Sequence, residues 1–253
     1  MTSDLENFHR LYKAVNNDEL QLQFQPVVDS RQRHLAGFEA LVRWYDPGSG
    51  RMVPPAEFLP FAEQTGLIVY LGEKILDDAC REARLWNRLG RHTRSVSVNI
   101  AARQLQDSSF PDVIFDTVAR HKLKTEALRL EFPQAALSGE GAVLDKLQAL
   151  KARGIKLALN DFGRGVSSVH MLHQYPFDLI KLERGFLLDM EQDGNCRTLA
   201  GGIAAIVHEL GKSLAVVGIE TELQAQIATT IGADFLQGYL FGKPAAANQL
   251  KTL

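Results

Sequence analysis

Residues 127–161 read ALRLEFPQAALSGEGAVLDKLQALKARGIKLALND, and this stretch decides the fold class. Its two ends, ALRLEF (127–132) and IKLAL (155–159), are short and rich in apolar residues, which predicts two strands. Residues 141–153 between them carry apolar side chains at helical spacing, which predicts a helix. Strands connected by a helix in this way run parallel in one sheet, so the chain is expected to be an α/β protein.

The same alternation extends over the rest of the chain. Further strands are predicted at residues 20–28, 36–44, 95–100, 177–182, 213–217 and 233–236, and further helices at residues 71–89, 110–121, 197–210 and 221–231. This succession predicts a largely parallel sheet, and both an open doubly wound sheet and a closed barrel satisfy it. The 253 residues suit a single α/β barrel, so residues 1–253 are expected to form one domain.

Composition argues against several functional classes. A net charge of −2 gives no electrostatic reason to bind nucleic acid or an anionic membrane. The two cysteines, Cys80 and Cys196, form no CxxC pair, which argues against a disulfide framework or a cysteine zinc site and suits a reducing cytoplasm. No apolar run approaches the ~20 residues of a membrane span. The segment is therefore expected to be cytoplasmic, whether alone or attached to sensor or membrane domains outside it.

Polar side chains recur in or at the ends of the predicted strands. They are Glu39, Asn99, Glu131, Asn160, Asp161 and Lys181. In a barrel the carboxyl ends of the strands form one rim, where active sites lie. Oxygen ligands that converge there suit Mg²⁺ or Mn²⁺, and a lysine beside them holds a phosphate or orients a water. Helix capping remains an alternative for any one of these residues and is disfavoured for the whole set.

Other chemistries lack support in the sequence. No GxGxxG, GxxxxGK[ST] or GxSxG motif occurs, which argues against a Rossmann site, a P-loop and a serine hydrolase elbow. His170 and His173 lie three residues apart without an HExxH pattern, so they are interpreted as surface or packing residues.

Seven segments follow one another in the order and spacing of a known family. They are FQPVVD (24–29), GFEALVRW (37–44), FLPFAEQTGLI (58–68), SVNIAARQL (97–105), NDFGRGVSSVHML (160–172), FDLIKLERGFL (177–187) and LQGYLFGKP (236–244). The second contains Glu39-Ala40-Leu41 followed by Arg43. On these motifs the chain resembles the EAL-domain cyclic-di-GMP phosphodiesterases over nearly its whole length. The resemblance implies a modified TIM (β/α)8 barrel with an antiparallel first strand.

The resemblance also implies a reaction and a set of site residues. The family hydrolyses cyclic-di-GMP with two divalent metals, Mg²⁺ or Mn²⁺, which activate a water. The residues that match metal ligands are Glu39, Asn99, Glu131 and Asp161. Those that match catalytic groups are Glu39, Lys181 and Asp161. Those that match nucleotide contacts are Gln25, Leu41, Arg43, Asp161 and Gln237.

Three departures from the family pattern bear on the metal site. Asn160 stands for the first Asp of DDFG, Val217 for the acidic residue of AEGVE, and Gln134 for the second Glu of an ExxE segment. Two divalent ions need several anionic ligands to offset their dehydration. We therefore expect the metal site to be weak or unoccupied and hydrolysis to be absent or vestigial. Nucleotide binding is expected to require no metal.

Three functions follow from this pattern. The favoured one is a degenerate EAL domain that binds cyclic-di-GMP as a receptor or signalling module. The alternatives are a regulator that binds a protein partner and no nucleotide, and a weak Mg²⁺- or Mn²⁺-dependent cyclic-di-GMP phosphodiesterase. The family often dimerises near the DFG loop and the helix after it, so a homodimer through this region is a further expectation. The chain also suits the C-terminal module of a longer signalling protein.

Overall fold

The computed structural model describes residues 2–17, 19–88, 95–137, 140–163 and 169–250. The strands are β1 Leu20–Asp29, β2 Leu35–Asp46, β3 Arg51–Val53, β4 Val96–Asn99, β5 Leu128–Pro133, β6 Lys156–Phe162, β7 Leu179–Leu182, β8 Ser213–Val217, β9 Phe235–Gln237 and β10 Ala245–Ala246. The helices are α1 Thr2–Asn16, α2 Pro55–Thr65, α3 Leu67–Arg88, α4 Ala102–Gln106, α5 Phe110–Arg120, α6 Glu140–Ala152, α7 Val169–Gln174, α8 Arg184–Gln192, α9 Gly194–Glu209 and α10 Glu222–Thr230. Short 3-10 helices cover Thr125–Ala127, Gln134–Leu137 and Ala247–Gln249.

Eight of the strands close into a barrel. Their order is β1, β2, β4, β5, β6, β7, β8 and β9, after which β9 pairs with β1 again. The strand β1 is antiparallel to both β2 and β9, and every other pair in the ring is parallel. The predicted (β/α)8 barrel with an antiparallel first strand is thus confirmed, and the open doubly wound sheet is excluded.

The eight strands predicted from the sequence are the eight barrel strands, with small shifts at their ends. The predicted helix at 71–89 begins earlier, at Leu67, because Gly66 adopts a left-handed conformation (φ +83°) and separates α2 from α3 within one residue. The helix α1 was not predicted, since its sequence is mostly polar. It is anchored by the buried side chains of Leu11 and Ala14, and Arg10 pairs with Asp46 at 2.5 Å.

The main core lies between the barrel and its surrounding helices. A separate small cluster of Ala158, Leu179 and Ala215 fills the inside of the barrel, with Phe235 packed against it. Close approach of β2 to β4 depends on Gly37, because a Cβ at this position would lie 2.6 Å from the backbone oxygen of Ser95. Among the described residues, no helix has the length and apolar character needed to cross a membrane.

Candidate functional site

The carboxyl ends of the barrel strands enclose a cavity of about 390 Å³. Nine of the residues singled out from the sequence line it: Gln25, Glu39, Leu41, Asn99, Asn160, Asp161, Lys181, Val217 and Gln237. Glu131 lies just below the cavity, with 1% of its surface exposed, and its carboxylate contacts Lys181. Gln134 begins the 3-10 helix that follows β5 and does not line the cavity. The folded chain therefore brings side chains from seven strands to one rim.

A buried lysine joins the two glutamates of the site. Lys181 Nζ donates to Glu39 Oε2 at 2.8 Å and to Glu131 Oε2 at 2.6 Å. Burial opposes the charge on Lys181, but attraction to Glu131 and Glu39 outweighs it and raises the pKa of the lysine above its usual value. Burial likewise opposes ionisation of Glu39, but Lys181 and the hydrogen bonds from Lys181, Asn99 and Gln237 hold the pKa of this carboxyl below its usual value. Lys181 and Glu39 are therefore both charged at neutral pH.

Amide side chains extend this cluster across the rim. Asn99 Nδ2 donates to Glu39 Oε1 at 2.7 Å, and Asn160 Nδ2 donates to Asn99 Oδ1 at 2.8 Å. Gln237 Nε2 donates to Glu39 Oε2 at 2.8 Å and to Gln25 Oε1 at 3.2 Å. The Oδ1 of Asn160 and the Oε1 of Gln237 are buried and have no hydrogen-bond partner among the described atoms. Two acceptors in the cavity wall are thus available to donors from outside the chain.

Two consecutive residues of β6 face the cavity because the strand is irregular there. The pairing of β6 with β7 is interrupted between Leu159 and Phe162, which leaves Asn160 and Asp161 outside the regular register. Asp161 has a φ of +55°, a left-handed conformation that aspartate tolerates better than most residues. In a regular strand these two side chains would point to opposite faces of the sheet, so the irregularity is what places both on the cavity.

Arg43 lies on the same face of β2 as Glu39 and Leu41 but outside the cavity lining. Its Nε donates to Gln23 Oε1 at 3.0 Å and its Nη1 to the carbonyl of Val42 at 2.8 Å. Burial lowers the pKa of Arg43, although the side chains of Tyr239 and Glu39 act in the opposite direction. An arginine stays protonated despite such a shift, so this side chain is a fixed cation near the cavity mouth.

The donor set of the rim does not fit a pair of divalent metals. Glu39 and Glu131 both accept a hydrogen bond from the ammonium of Lys181, and the oxygen of Asn99 accepts a hydrogen bond from Asn160. In the part of the chain that the structure describes, no group of three or more histidine, cysteine, aspartate or glutamate side chains is arranged to hold a metal ion. Asp161 is the remaining carboxylate of the predicted ligand set, and one anion does not offset the dehydration of two divalent ions.

Five cavity residues were not predicted from the sequence, two of them glycines (Gly218 and Gly238) and three of them with polar side chains. Arg184, Glu220 and Tyr239 follow β7, β8 and β9, and an ion pair of 2.7 Å joins the first two across the mouth. Arg184 is the first residue of α8, and Glu220 and Tyr239 lie in loops, where no periodic pattern marks them. Their position directly after rim strands is the signal that would have found them.

Comparison with known proteins decides the family. The model of the EAL domain matches residues 9–244. The chain belongs to the EAL domain family. A curated relative, the bifunctional diguanylate cyclase/cyclic di-GMP phosphodiesterase MucR of Pseudomonas aeruginosa, is 36% identical over 97% of this chain and 36% of its own length. The signaling protein YkoW of Bacillus subtilis is 34% identical over 95% of this chain and 30% of its own. This EAL domain thus spans about a third of these relatives.

Solved EAL structures share the fold. The PaMucR phosphodiesterase in its cyclic-di-GMP complex is 36% identical, with a TM-score of 0.91 over 97% of this chain and 100% of that one. The EAL enzyme Bd1971 in its cAMP- and cyclic-di-GMP-bound form is 28% identical, with a TM-score of 0.91 over 98% of this chain and 68% of that one. The homodimer predicted around residues 160–172 stays a prediction, because residues 164–168 lie outside the described part of the chain.

Proposed function

We propose that this EAL domain binds cyclic-di-GMP and does not hydrolyse it at an appreciable rate. The proposal is carried by the hydrogen bond from Asn160 Nδ2 to Asn99 Oδ1, because an aspartate at position 160 would offer an acceptor where this chain presents a donor. The Asn160 amide thus engages the oxygen that the family pattern assigns to a metal. At the end of the neighbouring β8, Val217 presents an apolar side chain to the same cavity.

Loss of these acids affects the chemical step more than binding. Two-metal hydrolysis depends on a pair of cations that activate the water and stabilise the leaving oxygen. Removing a single element of transition-state electrostatics typically costs a factor of ~10²–10³ in rate. Asn160 and Val217 remove two anionic positions from one cavity, so the two losses are expected to act together on turnover.

Nucleotide binding relies on groups that need no metal. The phosphodiester groups of the ligand are anionic, and Arg43 is a fixed cation whose hydrogen bonds go to a neutral amide and a carbonyl, not to a carboxylate. The unpartnered oxygens of Asn160 and Gln237 offer acceptors to donors of a bound base. A relative with 36% identity over its whole solved domain has been solved in a cyclic-di-GMP complex, which further supports binding.

The test is calorimetric titration of cyclic-di-GMP into the protein, once with Mn²⁺ and once with EDTA, with the nucleotide recovered and separated by chromatography. Equal affinity in both buffers and intact nucleotide are expected. Arg43→Ala is expected to weaken binding by a factor of ~10–100, since a charge-assisted hydrogen bond contributes about 1.5–3 kcal/mol. Arg197→Ala is the control, because Arg197 also donates to backbone carbonyls but lies on α9 away from the cavity.

Other results would point to the alternative functions. Steady turnover with Mn²⁺ that disappears in Glu39→Ala would overturn the proposal and establish a weak phosphodiesterase. Absence of binding in both buffers, with the protein folded by circular dichroism, would overturn it in favour of a regulator that acts through a protein partner.

A further inference from the structure

Arg129 occupies the inside of the barrel beneath the candidate site. It lies two residues before Glu131 on β5, so both side chains point to the barrel interior. The Cζ atom of its guanidinium lies 6.0 Å from the centroid of the Phe235 ring, which belongs to β9 on the opposite side of the barrel. The long side chain of Arg129 therefore crosses the interior directly below the rim.

Small side chains leave room for this arginine. Ala158 on β6 and Ala215 on β8 belong to the interior cluster, and Ser97 is the neighbour of Arg129 on β4. Larger residues at these inward positions would fill the space that the guanidinium takes. Burial lowers the pKa of Arg129, while Glu131 and Asp178 act against that shift. Arginine nevertheless stays protonated inside proteins, so a permanent positive charge lies under the site.

The positive charge of Arg129 balances the glutamates of the rim, because the other acid near it is already paired. Asp178, the other nearby acid, already pairs with Lys151 and with Lys156 and accepts a hydrogen bond from the backbone N–H of Leu157. The Nε of Arg129 has no hydrogen-bond partner among the described atoms. Because Asp178 is engaged by its two lysines, the charge of Arg129 acts on the rim through space.

We infer that Arg129 adds a second positive charge beneath the rim, beside that of Lys181, and that this charge takes the place of a divalent metal ion. Two fixed positive charges balance the two carboxylates of Glu39 and Glu131, so the barrel interior is electrically neutral without a metal ion. A divalent cation at the rim is repelled by the positive charge of Arg129 below it. It also lacks the acidic ligands that the family pattern has at positions 160 and 217. The inference concerns metal exclusion alone, and it stands or falls independently of whether cyclic-di-GMP binds.

The test measures Mn²⁺ binding by electron paramagnetic resonance, in which the signal of free Mn²⁺ falls as the ion is bound. The wild-type protein is expected to show no saturable binding up to millimolar concentrations. Arg129→Met and the polar variant Arg129→Gln are expected to bind Mn²⁺ at least about tenfold more tightly, because a unit charge and a divalent ion inside a barrel repel strongly. Adding Glu131→Gln to either variant is expected to abolish this increase in Mn²⁺ affinity. That result would place the bound ion at the rim.

Arg153→Met provides the matched control, because the guanidinium of Arg153 also lies over a phenylalanine ring, that of Phe115, outside the barrel. It is expected to leave Mn²⁺ binding unchanged. Saturable Mn²⁺ binding by the wild-type protein would overturn the inference. So would folded Arg129 variants whose Mn²⁺ affinity equals that of the wild type.

Discussion

Replacing Lys181 with methionine is the sharpest perturbation of this barrel. The lysine is 6% exposed, and its Nζ lies within hydrogen-bond distance of both Glu39 and Glu131. Methionine keeps most of the apolar stem of the side chain and removes the ammonium group with its charge and its two hydrogen bonds. Because neither carboxylate reaches another cation within hydrogen-bond distance among the described residues, the variant leaves two buried anions side by side.

The expected loss of stability follows from the burial of that pair. Removing one partner of a buried ion pair typically costs about 3–5 kcal/mol, since the remaining charge is uncompensated. Here two carboxylates lose the same partner, so the upper part of this range applies. The whole free energy of unfolding of a domain is about 5–15 kcal/mol. The variant is therefore expected to be much less stable than the wild type and to unfold at lower urea concentration at pH 7.

The pH dependence gives the reasoning a second check. In the wild type the pKa of Glu39 is lowered, so its contribution is present above the unfolded value of ~4.3 and is lost as pH falls through the folded value. In Lys181→Met the buried carboxylate of Glu39 loses the ammonium group that holds its pKa down, so this pKa is expected to rise. The stability difference between variant and wild type is then largest at pH 7 and shrinks toward pH 5.

Urea unfolding of both proteins between pH 5 and pH 7 measures this difference. Adding Glu39→Gln and Glu131→Gln to Lys181→Met is expected to restore part of the lost stability, because the two carboxylate charges are removed and only the charge of Arg129 remains in the barrel. Arg51→Met serves as a control, since Arg51 and Glu57 pair at 2.8 Å on the exposed surface, where ion pairs contribute little. A Lys181→Met protein with nearly wild-type stability, or with a deficit that does not change with pH, would refute the buried ion-pair reasoning.

Three further predictions concern the site and the core. The double variant Asn160→Asp, Val217→Glu is expected to bind Mn²⁺ and to hydrolyse cyclic-di-GMP at least ~10²-fold faster than the wild type. Chromatography of the products measures the hydrolysis. Unchanged turnover in a variant that binds Mn²⁺ would contradict the assignment of these positions. Gly238→Ala is expected to destabilise the protein in a thermal melt, because its Cβ would lie 1.9 Å from the backbone oxygen of Ile219; an unchanged melting temperature would argue against this packing. Cys80 is buried and its thiol pKa is raised to about 12, so it is expected to resist Ellman's reagent at pH 8 until the protein is unfolded, and rapid labelling of native Cys80 would show the opposite.

Much of the barrel was predictable because its strands and helices alternate with clear periods. Strands such as β5 and β8 bury nearly every residue, and their short apolar runs are visible in the sequence. Closure into a barrel was not predictable from this pattern, because it depends on the long-range pairing of β1 with both β2 and β9. The family resemblance supplied that step, and the pairing in the structure agrees with it.

The sequence predicted which strand residues belong to the site, but not how their side chains are oriented and paired. A period of two gives the face on which Glu131 lies, but the irregularity after Leu159 that turns both Asn160 and Asp161 toward the cavity breaks that period. The sequence does not indicate which residue pairs with a buried charge, because Lys181 and Glu39 are far apart in the chain. The role of Arg129 was not predictable, since only the closed barrel places its guanidinium near Phe235 of the opposite strand.

The positions that depart from the family pattern lie on a different wall of the cavity from most of the positions that match nucleotide contacts. The strands β6 and β8 provide Asn160 and Val217, where the family pattern has acids, whereas β1, β2 and β9 provide Gln25, Leu41 and Gln237, which match nucleotide contacts. These two sets of strands lie on different arcs of the ring. A change of charge on one arc therefore leaves the shape of the other intact. For this reason we expect that the proposed receptor has lost turnover while the surface on which a nucleotide would lie is kept.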